Sequence, residues 1–346
     1  MGMNRRNFLT LSGAGLAAVN SGFSLGRDEH TGIIKPGHLR QGDTVALVNP
    51  ASATAFRDSV QIVKESMEAL GLKVRMGENV LGRRGYFAGT DEERAADLNR
   101  QFADPEIKGI IAVRGGWGCA RLLPLVDFDN IMKNPKILVG YSDVTALLLS
   151  IYAKTGLVTF HGPVGMGPWN SFSTDYFKKI LFQKQAPVFK NPENRGNNLT
   201  QVSDRVVTIT PGRATGRLLG GNLTVLSSIV GSGFLPDWKD SILFLEDVGE
   251  NIYRIDRMLT QLKLAGILDA IKGFIFGKCT DCGPGEGYGS LTLEELFDDH
   301  IKPLGIPAWQ GAMIGHEADK FTLPIGIEAA INSVEGTINL LEPAVK

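Results

Sequence analysis

Between Thr44 and Gly156, short strand-type runs alternate with helical segments, and this alternation constrains the fold more than any other feature of the chain. Thr44–Val48, Lys73–Met76, Ile110–Val113 and Lys136–Val139 are too short for stable helices, and loop or turn residues follow them. Asp58–Leu70 lies between the first two runs, with Val60, Val63, Met67 and Leu70 at helical spacing and Gly71 as its stop. Asp91–Ala103 follows Thr90, an N-capping residue. Ala120–Leu125 reads as a short helix, and Val144–Lys154 as a strongly apolar one that ends at Gly156. Strands alternating with helices predict an α/β fold with a doubly wound, mostly parallel, Rossmann-like sheet.

A second unit begins near Gly212. It holds Gly216–Asn222, strands at Ile242–Leu245, Gly273–Gly277 and Gly311–Ile314, helices at Ile252–Ala265 and Thr292–His300, and a region of paired strands from Ile327 to Leu341. This predicts a mixed α/β domain. The intervening stretch from Pro168 to Thr210 is polar and shows little period, so it reads as a linker. The expected organisation is a domain over 34–167, a linker over 168–210 and a domain over 211–346, with the site in the cleft between the two domains.

Composition excludes several function classes. Lys+Arg total 36 against 37 Asp+Glu in 346 residues, a formal charge of −1 without the basic excess of a nucleic-acid binder. Three cysteines cannot build a disulfide scaffold. Cys279 and Cys282 form one C-x-x-C and lack the second pair of a structural zinc site, so they read as a local disulfide or free thiols. Cys119 reads as packing. The 42 glycines exceed ordinary usage and must serve turns and close backbone approaches. No metal or cofactor is expected.

The first 26 residues read as an address. Arg5-Arg6 precedes a mildly apolar stretch from Phe8 to Val19, of about 12 residues and too short to span a ~30 Å hydrocarbon core. Paired arginines before such a stretch form the twin-arginine export pattern, with small residues Ser24 and Gly26 near its end. The expected location is periplasmic or otherwise exported, or cytoplasmic should the signal not function, with no stable membrane span.

Sites of open α/β sheets gather at the carboxyl ends of strands. Three polar residues fall there: Ser142 after Lys136–Val139, Glu246 closing Ile242–Leu245, and His316 after Gly311–Ile314. A hydroxyl, a carboxylate and an imidazole are the parts of a nucleophile–base–orienter relay. Asp247 and Glu250 lie beside Glu246 as alternative orienters. Ser142 sits between a strand and a helix, the position of a nucleophile elbow, although Gly-Tyr-Ser-Asp departs from G-x-S-x-G. The same Ser could instead cap the helix. The N–H of Asp143 is the natural oxyanion donor there. Arg114-Gly115-Gly116-Trp117-Gly118 follows another strand; it can offer a second donor through Gly115 or Gly116, or serve as a tight turn. Among the five histidines, His161 follows a strand and can line the same cleft.

Taken in order, these motifs resemble the LD-carboxypeptidases, a family of serine peptidases. The resemblance runs from about Ile34 to Leu341. It rests on Val113–Gly118, Lys136–Thr145, Gly220-Gly221-Asn222-Leu223, Leu243–Val248 with Tyr253–Arg257, and Ile314-Gly315-His316 with Leu323–Gly326. It implies Ser142 as nucleophile, His316 as base and Glu246 as its acid partner, with an oxyanion hole from Asp143 and Gly115 or Gly116. It also implies hydrolysis of the amide between an L-centre (diaminopimelate or Lys) and a terminal D-amino acid of a murein tetrapeptide, in a homodimer. Arg114 is the candidate for the substrate carboxylate by position. Trp117 stands where the family loop commonly has Tyr, which enlarges the ring and removes the phenol OH. A peptide antibiotic is the alternative substrate within the family. A periplasmic solute-binding protein is the alternative outside it.

Overall fold

The computed structural model describes residues 32–284 and 289–346; the twin-arginine segment lies outside them. In chain order the strands are β1 (Thr44–Val48), β2 (Lys73–Met76), β3 (Ile107–Ala112), β4 (Ile137–Gly140), β5 (Thr159–His161), β6 (Val188–Phe189), β7 (Val207–Thr210), β8 (Arg213–Asn222), β9 (Ile242–Val248), β10 (Gly273–Thr280), β11 (Ala308–Gln310), β12 (Leu323–Ile325), β13 (Glu328–Asn332) and β14 (Thr337–Leu340).

Six of them form one sheet in the order β12-β5-β4-β3-β1-β2. The run β5-β4-β3-β1-β2 is parallel throughout, and β12 closes its edge antiparallel to β5. The order reverses between β1 and β3, and ligands of such sheets bind at that switch point, outside the strand ends. The connecting helices explain themselves locally. Asp91–Ala103 starts at a capping box in which the Thr90 hydroxyl accepts from the Glu93 N–H while the Glu93 carboxylate accepts from the Thr90 N–H. Thr145–Thr155 is buried over most of its surface and stops at left-handed Gly156.

The second sheet runs β6-β14-β13-β8-β9-β10-β11-β7. Its centre, β8-β9-β10-β11, is parallel, and antiparallel strands flank it on both sides. This is the expected mixed α/β architecture, and the paired strands expected after Ile327 are β13 and β14.

Three expectations are corrected. The stretch 168–210, expected to show little period, contains the helix Ser171–Leu181 together with β6 and β7. Asn170 caps that helix, which buries Tyr176, Phe177, Ile180 and Leu181. Tyr176 packs on Phe189 and Phe321 with ring centroids about 5 Å apart. Phe321 lies far along the chain, and the polar run 191–198 dominates the stretch around Phe189, which hid the helix. The strand expected at Gly311–Ile314 lies at Ala308–Gln310 instead, because Gly311 takes φ 96° and leads the chain out of the sheet. Finally, Leu323–Ile325 leaves the second unit and pairs with β5 of the first. Its Pro324 is tolerated because β12 is an edge strand.

Candidate active site

β4 ends at Gly140, and the chain turns through Tyr141 and Ser142 into the helix that starts at Thr145. Ser142 has φ 62°, in the left-handed region. That conformation costs a non-glycine residue about 1–2 kcal/mol and concentrates at functional sites. Its side chain forms no cap on the following helix, which leaves the N-cap role without support. The glycine loop lies against it: a Cβ on Gly115 would come within 2.9 Å of the Ser142 Cβ and 3.1 Å of its Oγ. A Cβ on Gly116 would instead strike the Ser52 Oγ, which accepts a hydrogen bond from the Trp117 N–H at 3.0 Å. Of the loop's glycines, Gly115 is therefore the one that lies against the Ser142 hydroxyl.

The Asp143 side chain clamps the two loops together. It is buried, and its Oδ2 accepts from the Cys119 N–H at 2.8 Å. Burial raises its pKa above the ordinary carboxylate value. Arg94, also buried, holds the same loop from outside, donating to the carbonyl oxygens of Pro50 and Gly118 and pairing with Asp91. Arg114 donates to the Ala53 carbonyl at 3.1 Å, and Trp117 is 46% exposed.

The second sheet supplies the acid and the imidazole. Glu246 lies in the C-terminal half of β9, opposite Asn222 of β8, and is fully buried. His316 follows β11 by a loop, and its Nδ1 lies 2.8 Å from Glu246 Oε2. With Nδ1 so engaged, Nε2 remains for a proton transfer. The loop can approach because residue 315 is glycine: at φ 123°, a Cβ there would fall 2.9 Å from Glu246 Oε2. Among the described residues no hydrogen bond joins Ser142 to His316. The two meet through Tyr141, whose ring packs edge-on against the imidazole with centroids 4.8 Å apart.

The structure decides between the neighbouring acids. Asp247 accepts from the Asn222 side chain and from the N–H and hydroxyl of Thr224, so it is committed to holding β8 and β9. Burial pushes its pKa up to about 6, with the Glu246 charge adding to the shift. Glu250 faces Arg254. Only Glu246 reaches His316. β8 also ties the sheets together, since the Asn222 N–H donates to the Thr145 hydroxyl at 3.0 Å, one turn beyond Ser142.

Two further residues lie around the dyad: His161, expected after a strand as a lining of this cleft, and Lys320, which carries no sequence signal. His161 is buried with neither ring nitrogen hydrogen-bonded, between Tyr141 and Phe244. Burial drops its pKa to about 4, so it is uncharged at pH 7. Lys320 is 3% exposed and sits with its ammonium 4.9 Å from the Tyr141 ring centroid. Of the other histidines, His38 bonds the Lys346 carbonyl and His300 bonds Asp256, while His30 lies outside the described residues. Cys279 and Cys282 are joined as a disulfide, and Cys119 is free and buried. No helix among the described residues is long and apolar enough to cross a membrane.

Comparison with known proteins gives the family. Residues 45–162 match the LD-carboxypeptidase N-terminal domain and residues 215–331 the LD-carboxypeptidase C-terminal domain. A probable murein peptide carboxypeptidase of Bacillus subtilis is 38% identical over 308 residues, covering 88% of this chain and 93% of its own. The solved structure of a microcin C7 self-immunity protein, MccF, with aspartyl sulfamoyl adenosine superposes with a TM-score of 0.82 at 30% identity, covering 90% of this chain and all of that one. The muramoyltetrapeptide carboxypeptidase of Oxalobacter formigenes superposes with a TM-score of 0.71 at 28% identity, over 86% of this chain and 97% of that one. This chain belongs to the LD-carboxypeptidase family and is a carboxypeptidase.

Proposed function

We propose that this carboxypeptidase uses Ser142, His316 and Glu246 to release a terminal D-amino acid from an L-centre (diaminopimelate or Lys) of murein peptides. The observation that carries the reading is the Glu246–His316 hydrogen bond, packed through Tyr141 onto a serine held at φ 62°. His316 Nε2 takes the Ser142 proton as Oγ attacks the carbonyl carbon. The N–H of Asp143 and an N–H of the glycine loop beside Gly115 hold the oxyanion. Collapse breaks the C–N bond, His316 protonates the leaving amine, and water then hydrolyses the acyl ester. Arg114 receives the substrate's free carboxylate, and Trp117 borders the same subsite.

The substrate class rests on relatives named for murein peptides. The close superposition on a microcin self-immunity protein favours a second reading, a peptide antibiotic. Export by the twin-arginine segment, assembly as a homodimer and the two-domain division at 168–210 belong to the same proposal. Purified enzyme is incubated with a murein tetrapeptide and with LD- and LL-linked peptides, and the products are read by mass spectrometry. Release of D-alanine, lost by about 10⁴-fold or more in Ser142→Ala, is the expected result. Undiminished release by the variant overturns the assignment, and cleavage confined to LL-linked peptides overturns the substrate class.

A further inference from the structure

Glu246 poses a charge problem that the dyad alone does not solve. It is fully buried, and its Oε2 bonds His316 while its Oε1 has no hydrogen-bond partner. A buried carboxylate is costly unless a cation or several donors compensate it. In the resting state of a base the imidazole is neutral, so it supplies a hydrogen bond and no charge. His161, the other imidazole nearby, is likewise neutral.

The cation that faces this pocket is Lys320. Its side chain is buried, its ammonium donates to the Glu317 carbonyl and lies over the Tyr141 ring, and its backbone N–H donates to Ser173 Oγ at 3.0 Å. Tyr141 is thus in contact with both the Lys320 ammonium and the His316 ring. One side chain touches both halves of the site: the nucleophile turn through Tyr141, and the base loop through Glu317. A cation over an aromatic face in a desolvated setting is attracted by the ring quadrupole, which helps hold Tyr141 beside a strained serine. The charged and titratable groups facing Lys320 are Glu246, Glu317, Asp319, His161 and Tyr141. Those facing Glu246 are His316, His161, Tyr141, Asp247 and Lys320.

We propose that Lys320 is a positioning residue of this enzyme, a buried ammonium that compensates the Glu246 carboxylate and locks Tyr141, and with it Ser142, against His316. It touches no reacting atom. This inference rests on the proposed dyad, so Ser142→Ala and His316→Ala are run in the same assay; if either retains activity, the dyad reading fails independently of Lys320.

The test is the pH profile of kcat/KM for D-alanine release by wild type, Lys320→Met and Lys320→Arg. Methionine keeps the volume and removes the charge. Without the cation, protonation of the Glu246–His316 pair becomes easier, so the acid limb moves to higher pH by about one unit, the low end of what a nearby opposite charge does. With it, kcat falls about tenfold or more while KM changes little. Arginine restores the charge and returns the limb to the wild-type position. A residue needed only for packing would lower activity without moving the limb, and that result for Lys320→Met overturns the proposal. If Lys320→Met does not fold, Lys320→Gln is measured in its place: a limb displaced by about one unit towards higher pH supports the proposal, and an unmoved limb overturns it.

Discussion

His161 makes this protein acid-labile in a way that can be isolated. The ring is completely buried and unpartnered, and its pKa falls from 6.5 to about 4 because burial penalises the charged form, with the Glu246 charge opposing that shift only in part. A base with a depressed folded-state pKa binds fewer protons folded than unfolded between those two values. Its contribution to stability is therefore intact above pH 6.5 and is lost as pH falls through the window towards 4. At pH 5 the unfolded ring is almost fully protonated and the folded ring mostly neutral, and linkage over that interval gives a loss of about 2 kcal/mol relative to pH 7. Other groups also titrate in this range; Asp247, with its raised pKa, acts in the opposite direction. Those contributions cancel when wild type is compared with a non-titrating variant. The perturbation is His161→Leu, and the assay is denaturant unfolding of both proteins at pH 7 and pH 5. Wild type should lose about 2 kcal/mol more than the variant between the two pH values. Equal losses, within about 0.5 kcal/mol, would refute the reasoning, because they would mean that the buried ring accepts its proton without penalty or opens to water first.

Two further perturbations test the supports of the site. Gly315→Ala places a Cβ within 2.9 Å of Glu246 Oε2 in a backbone conformation that L-residues rarely adopt; kcat should fall at least about tenfold through a displaced Glu246–His316 pair, with a lower unfolding midpoint, and an unchanged kcat would show that the loop relaxes at no cost. Reducing the Cys279–Cys282 disulfide, which closes a four-residue loop at the end of β10, should lower stability by about 2 kcal/mol as read by thermal unfolding with and without dithiothreitol. Thr280 in that loop donates to Glu317 beside His316 at 2.9 Å, so turnover should drop on reduction as well, and an unmoved midpoint and turnover would count against any role for the bridge.

The two subsheet identities were legible because each rests on signals within a few residues. The Thr90–Glu93 capping box, the stop at Gly156 and the runs of β1, β3, β4 and β9 are all local. Ser142, Glu246 and His316 could be picked out because each lies just past an apolar run, or near one in the case of His316. The helix Ser171–Leu181 escaped because its buried face is completed by Phe189 and Phe321, and β12 escaped because a three-residue strand containing proline has no period of its own.

Sequence by itself determined the fold class, the strands β1 to β4, β9 and β10, the positions of hydroxyl, carboxylate and imidazole after apolar runs, and the family. Tertiary structure decided which acid faces His316, since Asp247 is consumed by Asn222 and Thr224 while Glu246 is left free to turn inward. It also decided which glycine lies against Ser142, and it brought His161 and Lys320 to the dyad from β5 and from the loop before β12. The physical reason is the same in each case. Periodicity and caps are set by neighbours within a few residues, whereas the charge balance of a buried site depends on which distant side chains the packing of two sheets excludes from water.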